Sequence, residues 1–184
     1  MTIPAHIAQV YKNAVCLYSH EEILSSIDRV AREIEEKLSE KNPIVLGIMV
    51  GSIVFLGHLL PRLTFPLELD YLHATRYQGN TVGGELFWKA KPSLDLKGRT
   101  VLVVDDVLEG GITLAKTLDY IKECGAKEIW TAVLIDKQKA RKPEGFPKAD
   151  FTGLQAENPY IFGFGMDYQE YLRNVPGIYQ VNQE

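Results

Sequence analysis

The residues of this chain best placed to do chemistry are two adjacent acids that close an apolar run and are followed closely by a pair of glycines. The segment reads Val101-Leu-Val-Val-Asp-Asp-Val-Leu-Glu-Gly-Gly-Ile-Thr113. Val101–Val104 is the continuous, β-branched run expected of a central parallel strand, and ligands of parallel sheets bind beyond the carboxyl ends of the strands. Asp105 and Asp106 would lie there, where two carboxylates need a partner; vicinal hydroxyls or a metal ion would serve. Gly110 and Gly111 let the backbone approach a ligand closely, and Ile112 opens a helix whose free N–H groups attract an anion. Thr113 adds a hydroxyl donor. Acid pair, short turn and glycine-rich helix start together describe a site for a sugar bearing a terminal phosphate.

Alternating strands and helices must hold that turn in place. Ser19-His-Glu-Glu22 has capping-box spacing. Ile23, Ile27, Val30, Ile34 and Leu38 then recur at three and four residues, which predicts an amphipathic helix to about Glu40. Ile44–Met49 reads as a buried strand, Ile53 to Leu60 as a short helix, and Leu67 to Tyr77 as an alternating strand. Residues 78–92 show no sustained period and read as a long loop, of a length usually associated with function. After the strand ending at Asp105-Asp106, a helix is expected from Ile112 to Cys124 and a second buried strand over Ile129–Ile135. Short strands near Asp150–Leu154, Tyr160–Phe164 and Ile178–Val181 complete the pattern, with a brief segment at Tyr168–Arg173. The fold class is α/β: a parallel sheet flanked by helices, with right-handed crossovers.

Composition narrows the setting. The 184 residues are 46% apolar and 24% charged, which excludes intrinsic disorder and low-complexity or collagen-like chains. A compact chain of this size buries roughly two-thirds of its unfolded surface and needs no disulfide or metal to hold its core. Twenty basic against 24 acidic residues leave a formal charge of −4, which gives no reason to expect nucleic-acid binding. Residues 42–61 carry no Asp, Glu, Lys or Arg, but Gly51-Ser52 interrupts them, so a core strand and short helix are expected rather than a membrane span. The N-terminus lacks the basic and apolar regions of a signal peptide. Cys16 and Cys124 form no CxxC pair and are expected to be reduced packing residues of a cytoplasmic protein. His6, His20, His58 and His73 fall in no ligand spacing, and Cys16 with His20 makes a poor zinc site.

The segment 101–113 resembles the phosphoribosyl-pyrophosphate signature of type I phosphoribosyltransferases: four apolar residues, two acids, two apolar residues, Asp, Thr, Gly, any residue, Thr. Here Glu109 stands where that family usually has Asp, and Gly110 where it usually has Thr. The resemblance extends over most of residues 40–181 to the hypoxanthine-guanine branch. It implies a type I phosphoribosyltransferase-like parallel sheet in a single domain, with the core at about 40–155 and a small hood from about 1–20 and 156–184. A mobile lid is implied at about 76–92. Transfer of 5-phosphoribosyl from phosphoribosyl pyrophosphate to N9 of hypoxanthine or guanine is the implied reaction, with Mg²⁺ as cofactor and a homodimer or homotetramer as the assembly.

The same resemblance suggests roles. Asp105 and Asp106 would bind the ribose hydroxyls and metal, and Gly110, Gly111, Ile112 and Thr113 would cradle the 5′-phosphate. Lys137 would donate to the exocyclic oxygen of the purine; an ammonium donates and cannot accept, so it favours 6-oxopurines over adenine. Tyr160 would stack on the base and the Ile161 backbone would read its edge. Asp167 would hold a metal ion or a water on it, and Arg173 would grip pyrophosphate. Val50 and Gly51, in the loop after the first core strand, would hold pyrophosphate through backbone amides, with a cis peptide near Met49-Val50. Val50 occupies the place of a lysine in many purine enzymes. Arg76 and Tyr77 fall in the lid, and Phe87-Trp88 is either a lid aromatic pair or a contact to another subunit. Glu109 is the candidate general base.

Three other readings share parts of this pattern. A non-catalytic sensor of the same fold would account for the departures at Val50, Glu109 and Gly110. A signalling receiver domain also places paired acids after one strand and a lysine after a later one, although the 160–173 segment speaks against it. A transferase for xanthine or a pyrimidine would use nearly the same residues.

Overall fold

The computed structural model describes residues 4–76, 86–157 and 159–182. In chain order its first elements are α1 (Ala5–Asn13), β1 (Val15–Tyr18), α2 (His20–Leu38), β2 (Ile44–Ile48), α3 (Ile53–Leu59), β3 (Glu68–Arg76) and β4 (Leu86–Ala90). There follow β5 (Thr100–Leu108), α4 (Ile112–Glu123), β6 (Glu128–Asp136), β7 (Phe151–Gln155), β8 (Ile161–Phe162) and β9 (Ile178–Gln180). Six strands form the main sheet in the order β4-β3-β2-β5-β6-β7, parallel throughout except for β4, which runs antiparallel to β3. A separate antiparallel sheet, β1-β9-β8, joins segments from near the two ends of the chain.

Alternation along the strands builds two cores. Leu102 and Val104 of β5 face one side, where α2 and α3 cover them with Ile27, Ile34, Phe55 and Leu59. Val101 and Val103 face the other, against Leu114, Leu118 and Ile121 of α4. The expected stripe of α2 is fully buried at Ile23, Ile27, Val30, Ile34 and Leu38. Its capping box is formed in both directions: the Glu22 amide donates to Ser19 Oγ at 3.3 Å, and the Ser19 amide donates to Glu22 Oε2 at 2.8 Å. The uncharged stretch 42–61 resolves into β2 and α3, and among the described residues no helix is long and apolar enough to cross a membrane.

Several elements differ from expectation. β5 does not stop at the acids but runs on to Leu108, because β6 pairs with it beyond them, Val107 opposite Ile135 and Leu108 opposite Asp136. The long loop expected at 78–92 contains β4, whose residue Trp88 packs on Tyr120 of α4 with ring centroids 4.6 Å apart while Phe87 stays exposed. A nine-residue helix, α1, was not expected; only Ile7 of it is buried, so its apolar stripe is too thin to show a period. The strand expected over Tyr160–Phe164 shrinks to Ile161–Phe162. The segment 168–173 is built of turns, with positive φ at Gln169, Glu170 and Leu172. Cys16 is exposed rather than packed, since β1 is the edge of its sheet; Cys124 is half-buried, and both are free thiols.

Candidate active site

The carboxyl ends of β2, β5 and β6 open into two adjoining cavities of about 220 and 200 Å³ that share Asp106, Val107 and Glu109. The first is lined by Asp105, Asp106, Gly110, Gly111 and Thr113 from the β5–α4 turn, by Gly51 from the loop after β2, and by Arg173. The second is lined by Lys137 at the end of β6 and by Tyr160, Ile161, Met166 and Asp167. Residues from sequence positions 51 to 173 therefore meet at one end of the parallel sheet, where ligands of this architecture bind.

Asp105 and Asp106 form the floor between the cavities. Each side chain turns back on its own strand: Asp105 Oδ1 accepts from the Asp106 amide at 3.0 Å, and Asp106 Oδ1 accepts from the Val107 amide at 2.8 Å. Burial pushes both carboxyls above their ordinary range. At Asp105 the neighbouring Asp106 charge adds to the rise, and at Asp106 the Arg173 guanidinium opposes it. Two crowded carboxylates held in this way favour a cation. Among the described residues no cluster of three or more His, Cys, Asp or Glu could hold a metal unaided. The pair instead fits a Mg²⁺-type ion, which takes one or two carboxylates and completes its shell with water and substrate oxygens.

Beyond the acids the chain turns into α4. Gly111 is its N-cap, in the left-handed region at φ 78°, and no side chain caps the helix. The start of α4 thus offers backbone N–H groups and the positive end of the helix dipole to an anion. Ile112 is the first helical residue, and Thr113 lines the cavity. Glu109, half-exposed, reaches across the second cavity to pair with Lys137 Nζ, whose side chain is only 4% exposed. The two side chains that would serve the base are thus paired with each other.

The 160–173 segment closes the cleft from the side of the small sheet. The Tyr160 hydroxyl donates to the Asp167 carbonyl at 3.2 Å; the ring is half-exposed, and burial raises its phenol. Ile161 pairs across β8–β9 with Gln180. Asp167 accepts from the Glu170 amide at 2.9 Å and pairs with Arg173 Nη2 at 2.8 Å, and Arg173 Nη1 donates to the Gly165 carbonyl at 2.8 Å. Asp167 is thus committed to Arg173 here rather than presented beside Asp105 and Asp106. The Met49-Val50 peptide is cis, as the resemblance implied, and the Val50 side chain is half-exposed beside the cleft. Of the lid residues, Tyr77 and the Arg76 side chain lie outside the described residues.

Sequence reading missed two residues that hold this arrangement, Gly165 and Arg141, and the packing role of a third, Gly51, that it had placed in the pyrophosphate loop. A Cβ on Gly51 would overlap the Asp106 carboxylate, and one on Gly165, at φ 105°, would overlap the Gly51 carbonyl. The loop after β2, the end of β5 and the 160–173 segment are stacked through two glycines. Only the Gly-Phe-Gly spacing at 163–165 hinted at it. Arg141 also escaped notice, in a basic stretch that resembles an ordinary solvated surface. It pairs with Asp136 and donates to the Glu109 carbonyl.

An acid pair and a helix start at the centre of the sheet, together with a second pocket carrying a lysine and an aromatic ring, suit a phosphorylated ligand that bears a flat, oxygenated ring. Comparison with known proteins gives the family. Residues 16–169 match the model of the phosphoribosyl transferase domain. A hypoxanthine-guanine phosphoribosyltransferase of Streptococcus pneumoniae is 34% identical over 169 residues, 91% of this chain and 93% of that one. A hypoxanthine-guanine-xanthine phosphoribosyltransferase of Tritrichomonas foetus is 32% identical over 162 residues, 88% of each chain. Among solved structures, a hypoxanthine-guanine phosphoribosyltransferase of Bacillus anthracis superposes with a TM-score of 0.85 at 27% identity, covering 91% of this chain and 98% of that one. The chain belongs to the phosphoribosyltransferase family, in its hypoxanthine-guanine branch, and is an enzyme of phosphoribosyl transfer.

Proposed function

We propose that the protein transfers 5-phosphoribosyl from phosphoribosyl pyrophosphate to N9 of hypoxanthine or guanine, giving the nucleoside monophosphate and pyrophosphate. The observation that carries the reading is the meeting, at Asp106 and Glu109, of a cavity suited to a phosphorylated sugar with one suited to an oxygenated flat ring. In this reading the α4 amides, Gly110, Gly111 and Thr113 take the 5′-phosphate, and Asp105 and Asp106 take the ribose hydroxyls. When bound, Mg²⁺ held by Asp105 and Asp106 neutralises phosphate charge. Val50 and Gly51 offer backbone donors to the pyrophosphate, and Arg173 offers its guanidinium, the local cation for a leaving group that gains charge as the C1 bond breaks.

Lys137 binds the exocyclic oxygen of the base and Tyr160 stacks on its face. Entry of a 6-oxopurine would divide the Lys137–Glu109 pair between two ends of the ligand: the ammonium to the ring oxygen, the carboxylate to a ring N–H. Glu109 then accepts the proton that the base must lose as N9 attacks. Holding base and ribose in line supplies much of the rate. The Asp167–Arg173 pair would loosen as Arg173 turns to pyrophosphate, which would free Asp167 for the metal or its water.

The test is direct. The protein is incubated with Mg²⁺ and phosphoribosyl pyrophosphate and with hypoxanthine, guanine, xanthine or adenine in turn, and nucleotide is detected by chromatography. Nucleotide from hypoxanthine and guanine, with adenine inert, is expected. No nucleotide from any base would overturn the reading in favour of a sensor of the same fold.

A further inference from the structure

The carbonyls of four consecutive residues in the β5–α4 turn are all taken up by one neighbouring segment, residues 137–146. Leu108 O accepts from the Lys137 amide at 3.0 Å, Gly110 O from the Lys142 amide at 3.2 Å, and Gly111 O from the Phe146 amide at 3.0 Å as well as from the Ala115 amide of α4 at 2.9 Å. Glu109 O is the exception, since it accepts from a side chain, Nη1 of Arg141. In a planar trans peptide the carbonyl and the following N–H point to opposite sides. Because the Glu109, Gly110 and Gly111 carbonyls are held by the 137–146 segment, the amides of Gly110, Gly111 and Ile112 turn away from it, toward the cavity that Gly110, Gly111 and Thr113 line. The fit leaves no slack: a Cβ on Gly145 would overlap the Gly110 carbonyl, and one on Gly111 would sit 2.7 Å from both Phe146 N and Phe146 O.

Arg141 is built into this brace on every side. Its side chain is 13% exposed, a second terminal nitrogen pairs with Asp136, itself 1% exposed at the end of β6, and Nε donates to the Pro147 carbonyl at 3.2 Å. A guanidinium is rigid, planar and permanently charged, so it fixes the carbonyl it holds. The other three bonds come from the backbone, so among the described residues Arg141 is the only side chain in the brace.

We propose that Arg141 is a positioning residue for the 5′-phosphate: by holding the Glu109 carbonyl it keeps the turn's amides aimed at the phosphate, and it touches neither substrate. The proposal rests on the phosphoribosyl reading of the first cavity. It assigns to Arg141 its main effect at the phosphate end, because Arg141 lines neither cavity and, of the residues whose carbonyls are held, only Glu109 also lines the base pocket.

The experiment compares the full-length protein with two variants. Arg141→Lys keeps a positive charge opposite Asp136 but loses the fork. The double variant Asp136→Asn, Arg141→Gln removes the pair without stranding a buried carboxylate. Calorimetric Kd values are measured for guanosine 5′-monophosphate and for guanosine, together with KM for phosphoribosyl pyrophosphate and kcat. Both variants should lose about tenfold of the preference for nucleotide over nucleoside, the size of one charge-assisted hydrogen bond, while guanosine binding stays within about twofold. KM for phosphoribosyl pyrophosphate should rise by a similar factor, with a smaller change in kcat. Equal weakening of nucleotide and nucleoside would mark general loosening and overturn the proposal, as would an unchanged preference in both variants. A wild-type protein that binds guanosine as tightly as its 5′-phosphate would overturn the phosphate reading and this inference with it, before any variant is compared.

Discussion

The two halves of the cleft are built in opposite ways. At the proposed 5′-phosphate end of the first cavity the lining is the backbone of one unbroken turn through Gly110 and Gly111, with every carbonyl of residues 108–111 tied down behind it. In the base half the lining consists of side chains brought from three distant segments, and two of them, Glu109 and Lys137, are paired with each other across the pocket. The first half is preorganised, as suits a phosphate that does not change during transfer. In the proposed reaction the second rearranges as a base enters, because the Lys137–Glu109 pair would be divided by the ligand. Rigid recognition at one end and exchangeable side-chain contacts at the other are how the fold separates holding from reacting.

The contrast can be broken at its ends or at its joint. Glu109→Ala removes the proposed proton acceptor but leaves the backbone carbonyl of that position in the brace. Steady-state kinetics should show kcat lower by roughly 100- to 10,000-fold, the range of general acid–base catalysis, with phosphoribosyl-pyrophosphate affinity changed less than about threefold. Equal loss in both would sink the base role. Gly165→Ala strikes the joint, because its Cβ would meet the Gly51 carbonyl from a left-handed backbone. Misplacing that contact by about an ångström should cost on the order of 100-fold in kcat/KM and raise KM for both substrates, since Arg173 and the loop after β2 shift together. A Gly165→Ala enzyme with wild-type kinetics would show that the stacked glycines are not what aligns the halves.

The smallest effect sharpens the electrostatic side of the phosphate half. Burial holds the Asp105 carboxyl above its ordinary range in the folded protein. Between the unfolded value near 4 and the raised folded value, the folded state binds more protons than the unfolded one, so stability falls as pH rises through that interval. Asp105→Asn should therefore melt at a higher temperature than the wild type at pH 7 without ligand, and the difference should close as pH drops below about 4. The same variant should lose the stabilisation that Mg²⁺ with phosphoribosyl pyrophosphate gives the wild type. A melting temperature lower than the wild type's at pH 7 would contradict the strain assigned to the acid pair.

The same contrast decided what could be read from sequence. The phosphate half is contiguous, so the order of residues 101–113 alone located the acids, the turn and the helix start, and the period of α2 and its cap at Ser19 were equally local. β5 outran its expected end because its last residues are extended by pairing with β6, a contact between residues 28 apart. Lys137, Tyr160, Asp167 and Arg173 were placed by their likeness to a family, not by their own pattern. The turns that carry the last two include left-handed Gln169, Glu170 and Leu172, which no local preference announces. Arg141 and Gly145 were invisible for the same reason: what they do is meet the Glu109 and Gly110 carbonyls across more than 30 residues.

The most direct check on a cleft divided in this way is the pair of KM values in Lys137→Met, a change that keeps the buried stem and removes only the ammonium. KM for guanine should rise at least about tenfold, the loss of a charge-assisted hydrogen bond to the ring oxygen, while KM for phosphoribosyl pyrophosphate stays within about twofold of the wild type. A guanine KM that does not move, or two KM values that rise together, would contradict the division of the cleft into a phosphate half and a base half.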